Sequence, residues 1–249
     1  MMRSVERTLA VFESFTPAKS ALTLQEIADR IGLPKSTTFR IVGSLEQAGY
    51  LVRLEDQRYC LSFRFTRLAG LVRNTLDVRA IARPVMLALA EKTKETVALH
   101  RAVGRHRVCI DSVATAPSQL RSVMQPGEQI PLQLGSTSKT LLAFMPEAEA
   151  TTIIVSIARS TKRAPSELQA QLAQIRAQGY GLSHGERLLG LSAISAPVWD
   201  ASGEARHCLT VNGPTVRIQM HERDFTKLVK KAAADISRQY GGLPAEALA

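Results

Sequence analysis

The sequence predicts an α+β protein in two parts, a small reader domain over residues 1–61 and a larger mixed domain over 80–249, joined by a linker helix at 62–79. Three observations carry this. A chain of 249 residues is long enough for two modest domains, each with its own core. Residues Leu22 to Tyr59 run through a helix, a tight turn, a second helix and two short strands. Beyond Lys92 the apolar period shifts towards two, and strands mix with helices without a regular βαβ rhythm, which separates α+β from a doubly wound sheet.

Ser4 to Phe15 opens the chain as a helix with Val5, Leu9, Phe12 and Phe15 on one side, and Pro17 to Ala21 form a loop. Thr23-x-x-Glu26 is a capping box, in which the hydroxyl and the carboxylate each meet an orphan N–H of the first turn. Its helix carries Ile27, Ala28 and Ile31 inward and stops at Gly32. Leu33 sits in the turn, and Pro34 pre-sets the second helix, whose buried stripe is Phe39, Val42, Leu45 and Ala48. Gly49 ends it, and Tyr50–Arg53 with Arg58–Leu61 form a strand, a charged turn and a strand. This order is a helix-turn-helix with a β-wing.

Packing holds the second helix by its back and leaves Lys35, Ser36, Thr37, Arg40 and Ser44 on other faces. Such a helix can enter a major groove. Ser36 and Thr37 suit phosphates or base edges, and Arg40 can reach guanine bidentately. Arg53 and Arg58 flank the wing tip, where backbone phosphates or the minor groove come within reach. A helical hairpin with a solvated polar face is the plainer reading of the same pattern.

Leu61 to Arg79 is an amphipathic helix, broken only by Gly70, that reads as the linker. Ile81 to Lys92 is helical, with Ile81, Val85, Met86 and Leu89 inward. Val97–Leu99, Val108–Ile110, Leu120–Met124 and Ile130–Leu134 are strands, the first two separated by a turn at Gly104. Helices follow from Ser138, over Ala148–Ala158 and over Ser166–Gln178. Tyr180–His184, Ser192–Val198 and Cys208–Val211 are further strands, with a turn at Asp200–Gly203 before the last. Glu222 to Tyr240 closes the domain as a long helix with Phe225, Leu228, Val229, Ala232 and Ile236 inward, and the tail after Gly241 frays.

The formal charge of +10 permits a polyanionic partner. Residues 1–77 hold 11 Lys and Arg against 8 Asp and Glu, so the surplus is not concentrated in the reader. Positioned residues carry the DNA reading instead. Cys60, Cys109 and Cys208 form no C-x-x-C pair, so neither a zinc ribbon nor a disulfide framework is indicated. An odd cysteine count without a secretory signal fits a reducing cytoplasm, and no apolar run is long enough to span a bilayer. The five histidines show no H-x-x-x-H spacing, and adjacent His207 and Cys208 point to opposite faces of a strand. No metal or other cofactor is expected. Lys230-Lys231 reads as a solvated helix face.

The run LPKSTTFRIVGSLEQAGYLVR, with the following RYCLSFRFTRLAG, resembles the recognition helix and wing of the IclR family of bacterial transcription regulators. A second block resembles the family's GAF-like effector domain: Ile130-Pro131-Leu132, then Gly135-Ser136-Thr137-Ser138-Lys139, Gly179-Tyr180, Glu186, Gly190, Ala196-Pro197-Val198, Gly203 and Asn212-Gly213-Pro214. The resemblance implies a site for small organic or aromatic acids. Gly135, Ser136 and Thr137 at a helix start would line it, with Ser183 and Ala193 on facing walls and Thr210 and Asn212 on the last strand. N–H groups at a helix start favour a carboxylate, and hydroxyls orient it. The resemblance also implies that the first helix and the linker pair two readers in a homodimer or homotetramer. Gln133 stands where the family often has His, and Ser138 where it usually has Gly; Ser183 and Ala193 replace more polar or reactive types.

Ser136-x-x-Lys139 matches the S-x-x-K of penicillin-recognising serine enzymes, but no S-D-N or K-T-G partner follows. The stretch fails as a P-loop because Gln133 and Ser138 occupy the glycine positions. The expectation is a cytoplasmic, non-enzymatic regulator that binds double-stranded operator DNA and answers to a small organic or aromatic acid. The competing expectation is a small-molecule sensor or S-x-x-K hydrolase whose N-terminal module binds protein.

Overall fold

The computed structural model describes residues 3–16, 19–68, 77–114, 124–133, 135–161 and 164–242. They fall into two compact units, Met1–Leu76 and Asp77–Ala249. Most of the expected linker helix, nearly all of the strand expected at Leu120–Met124, Pro17, Leu134 and the tail from 243 lie outside the described residues.

In the first unit, α1 (Arg3–Glu13), β1 (Ala21–Leu22), α2 (Leu24–Ile31), α3 (Lys35–Gln47), β2 (Leu51–Arg53) and β3 (Tyr59–Leu61) follow in order, and a helix, α4, begins at 64–68. The capping box forms as expected: Thr23 N donates to Glu26 Oε2 at 2.8 Å, and Glu26 N to Thr23 Oγ1 at 3.2 Å. Gly32, at φ 65°, turns the chain from α2 towards α3 in the left-handed region that suits glycine. The strands pair antiparallel in the order β1-β3-β2. The core gathers Val11, Leu22, Ile27, Val42, Leu45, Leu51 and Tyr59. Phe65 of α4 joins Phe12 and Tyr50 in an edge-on aromatic cluster with centroids 5.1 and 5.6 Å apart.

Three sequence expectations change here. Phe39 is 59% exposed, and Thr38 occupies the buried position with its hydroxyl donating to Pro34 O. Ala48 is exposed as well. Three-residue steps drift around a helix of 3.6 residues per turn, so a stripe drawn from Leu45 and Val42 misses Phe39 by a sector. On α1, Val5 and Leu9 are exposed, and Val11 is the buried anchor. The last residue of the loop expected before the capping box, Ala21, begins β1.

The second unit is a six-stranded antiparallel sheet in the order β6-β5-β4-β9-β8-β7. Its strands are β4 (Thr96–Val103), β5 (His106–Val113), β6 (Gln129–Pro131), β7 (Gly181–His184), β8 (Leu191–Val198) and β9 (His207–Pro214). α5 (Val78–Thr93) and α10 (Glu222–Gln239) cover one face, packing Met86, Leu89, Val229 and Ile236 on Leu99, Ile194, Leu209 and Val211. α6 (Ser136–Phe144), α7 (Glu147–Thr161) and α8 (Pro165–Gln178) form a second core with Leu141, Leu142, Ile154, Leu172 and Cys208. α6 begins two residues before the expected Ser138, and a short helix, α9 (Thr215–Met220), precedes α10. Gly181 lets α6 lie directly on β7, since a Cβ there would stand 2.4 Å from Thr140 Oγ1. That contact brings the start of α6 against the sheet.

Candidate functional site

The outer side of α3 is open. Lys35, Ser36, Phe39, Arg40 and Ser44 are exposed and Thr37 half-buried. α3 has no side-chain cap and no acidic residue in its first turn, so its positive end faces outward. Such an end attracts phosphate. Ser44 Oγ donates to Arg40 O at 2.9 Å, which commits its proton to the helix. The wing is less free than its sequence suggests. Arg58 pairs with Asp56 at 2.6 Å, and Arg53 bonds Gln57 and stacks over Tyr59. Phe39, missed as a surface residue, stands beside Lys35 and Ser36 on this face. An exposed aromatic there can meet a thymine methyl.

In the second unit the sheet register sets Ser183, Ala193 and Asn212 in one row and Gly181, Ser195 and Thr210 in the next. α6 crosses over both rows. Between them lies a cavity of about 390 Å³ that opens to solvent at its mouth. Gly135, Ser136, Thr137, Ser183, Ala193, Thr210 and Asn212 all line it. The structure therefore brings together every residue that the resemblance placed in a ligand site.

Their hydrogen bonds differ from the simple expectation. Ser136 N donates to Ser183 Oγ at 2.9 Å, and Gly135 N to Glu186 Oε2 at 3.1 Å, so two leading N–H groups at the start of α6 are already engaged. The hydroxyls of Thr137, Ser195 and Thr210 form a triangle with sides of 3.3, 2.9 and 3.0 Å, and Ser136 Oγ joins Ser195 at 2.8 Å. Asn212 is 3% exposed, yet among the described residues neither Oδ1 nor Nδ2 has a partner. Buried polar atoms left unpaired in this way are costly.

Sequence reasoning missed Arg107, Ser195, Glu186 and Arg187. Arg107 shares a face of β5 with Cys109, and an irregularity in the register beyond Cys109 sends Asp111 to Arg83 of α5 on the other face. It lines the cavity with Arg187 and is 4% exposed. Burial, with Arg187 nearby, lowers its guanidinium to about 10. Arg107 Nη1 lies 3.1 Å from His100 Nε2. His100 is buried, and burial together with Arg107 and Arg187 holds its pKa well below the usual range, so the ring is neutral and accepts.

Two profiles of known families match this chain. The IclR helix-turn-helix domain matches residues 4–55, and the bacterial transcriptional regulator IclR C-terminal domain matches residues 71–238, more than half of the chain. The chain belongs to the IclR family. Among curated IclR-family relatives it is 29% identical to the HTH-type transcriptional regulator KipR of Bacillus subtilis, over 96% of this chain and 97% of the relative. It is 31% identical to the HTH-type transcriptional regulator BhcR of Paracoccus denitrificans (87% and 79%), and 26% to the transcriptional repressor IclR of Escherichia coli (97% and 91%). The crystal structure of Pseudomonas aeruginosa HmgR superposes with a TM-score of 0.77 at 26% identity, covering 97% of this chain and 99% of that one. The Agrobacterium tumefaciens repressor BlcR has the same fold, with a TM-score of 0.72 at 21% identity and coverage of 98% and 99%.

The IclR-family chain is thus a DNA-binding transcriptional regulator and not an enzyme. In the S-x-x-K motif, Lys139 Nζ bonds Glu186 Oε1 at 2.5 Å while Ser136 Oγ turns to Ser195. No nucleophile–base contact joins Ser136 and Lys139. Among the described residues no group of three His, Cys, Asp or Glu converges as metal ligands, and no helix is long and apolar enough to cross a membrane.

Proposed function

We propose that the regulator binds its operator through α3 and that a small organic or aromatic acid, held in the cavity between α6 and the sheet, modulates that binding. The observation that carries the ligand half is a cavity lined by buried polar atoms, on Asn212 and Arg107, that have no hydrogen-bond partner among the described residues. On the DNA side, Lys35, Ser36, Thr37, Phe39 and Arg40 form the reading surface, with Ser44 at its edge and Arg53 and Arg58 meeting flanking phosphates. The reader pairs with a second copy, as a homodimer or within a homotetramer, because operator symmetry sets two readers about one helical turn apart. The uncovered Val5 and Leu9 of α1 offer an apolar face for that pairing. The ligand acts by favouring one arrangement of the paired readers, a coupling of about 1–3 kcal/mol. The regulator works in the cytoplasm, without a cofactor.

A gel shift with DNA flanking its own gene, repeated with a panel of small organic and aromatic acids, tests both halves. Specific retardation that one acid strengthens or relieves is the expected result. Retardation indifferent to DNA sequence would remove the operator reading, and specific retardation indifferent to every acid would remove the effector reading.

A further inference from the structure

The cavity holds more positive charge than its surroundings balance. Arg107 is almost wholly buried, and among the described residues its Nε has no partner and its one neighbour at hydrogen-bond distance is the neutral ring of His100. Arg187, on the loop between β7 and β8, lines the same cavity. Among the described residues neither guanidinium forms an ion pair. The adjacent Glu186 is spent on Lys139 and on Gly135 N, and Glu128, whose charge Arg107 feels, forms no ion pair with it. Two like charges facing one cavity repel, and a buried cation without a counter-ion is expensive. The start of α6, by contrast, already has Ser183 and Glu186 as acceptors, so the strongest unmet demand for an anion lies on the sheet side.

We infer that the cavity takes a compact organic acid with two negative charges, one carboxylate set on Arg107 with Asn212 Nδ2 beside it and the second anionic group on Arg187. This rests on the reading of the cavity as the effector site and narrows it. A single carboxylate would leave one guanidinium uncompensated, whereas a dianion neutralises both. A cavity of about 390 Å³ restricts the occupant to a compact acid, and a short dicarboxylate is the simplest case.

Calorimetric titration of the full-length protein tests this, with malonate, succinate and glutarate set against propionate, butyrate and valerate, and inorganic phosphate as a separate titrant. One dicarboxylate should bind at least about ten-fold tighter than the monocarboxylate of equal length, the weight of one charge-assisted hydrogen-bonded contact. Arg187→Met should bring the two to parity. Arg107→Met should abolish both while thermal melting stays cooperative, and Arg107→Lys should keep weak binding. Equal affinity for the matched monocarboxylates overturns the two-charge inference and leaves an acid-sensing site intact. Phosphate binding as tightly as the best dicarboxylate overturns the carboxylate assignment in favour of a phosphate group. If neither acid series binds, this inference fails; operator shifts that still respond to an aromatic acid would then preserve the broader effector reading, and shifts that respond to no acid would sink both.

Discussion

Glu186 Oε1 stands 2.5 Å from Lys139 Nζ, and the other oxygen of the same carboxylate accepts from Gly135 N at 3.1 Å. One side chain from the β7–β8 loop therefore both neutralises a lysine that is 9% exposed and caps the start of α6. Removing one partner strands the other's charge. Glu186→Gln should destabilise the second unit by about 1–3 kcal/mol, less than a fully buried pair because Glu186 is partly exposed. The double change Lys139→Met with Glu186→Leu should recover much of that loss. Urea unfolding midpoints measure both, and a double variant no better than the single one would show that the pair's charges are not what matters.

Phe39 and Arg40 are neighbours on the open side of α3. Arg40→Ala should weaken operator binding by about 1–3 kcal/mol and relax preference at one base position. Equal losses on operator and random DNA would assign Arg40 to a phosphate. Phe39→Ala should leave the melting temperature within a few degrees, since the ring lies outside the core, yet reduce operator affinity. A clear loss of stability in that variant would return Phe39 to a packing role.

Asn212→Leu should separate stability from response. It replaces a buried amide with no partners by an apolar group of similar size, which favours the ligand-free fold by on the order of 1 kcal/mol. The same change should abolish the response of operator binding to ligand. Thr210→Val should also abolish the response but at a cost in stability, because it breaks two sides of the hydroxyl triangle. Thermal melting alongside gel shifts distinguishes the two.

His207 is buried against Tyr240 and held to about 4, chiefly by burial and secondarily by Arg101. Its folded value lies below the unfolded one, so the unfolded chain takes up the proton first as pH falls. The stability it leaves intact above about pH 6.5 is lost progressively towards pH 4 and then levels off. The loss by pH 5 is about 2 kcal/mol. His207→Phe should flatten that part of the pH dependence in chemical denaturation; an unchanged slope would place the titration elsewhere, with buried His100 the next group to test.

The reader was legible because its signals are local. Thr23, Glu26, Gly32 and Pro34 act within a few residues of one another, and the structure repeats them almost atom for atom. The choice between Thr38 and Phe39 was not local, since it depends on how α3 rotates against α2 and the wing. In the second unit, the alternation along β8 and β9 was readable, but the rows that join Ser183, Ala193 and Asn212 are set by strand register. Arg107 reaches the cavity across three strands, and Glu186 meets Gly135 from 51 residues away. No pattern within one segment encodes such meetings.

The closed triangle of Thr137, Ser195 and Thr210 has three protons and three oxygens, and nothing in its geometry fixes the direction in which the protons circulate. Reversing all three leaves every heavy atom where it stands. With every proton spent inside the ring, Thr137 and Thr210 offer a visitor only lone pairs, and a visitor that accepts a hydrogen must first open one side of the ring.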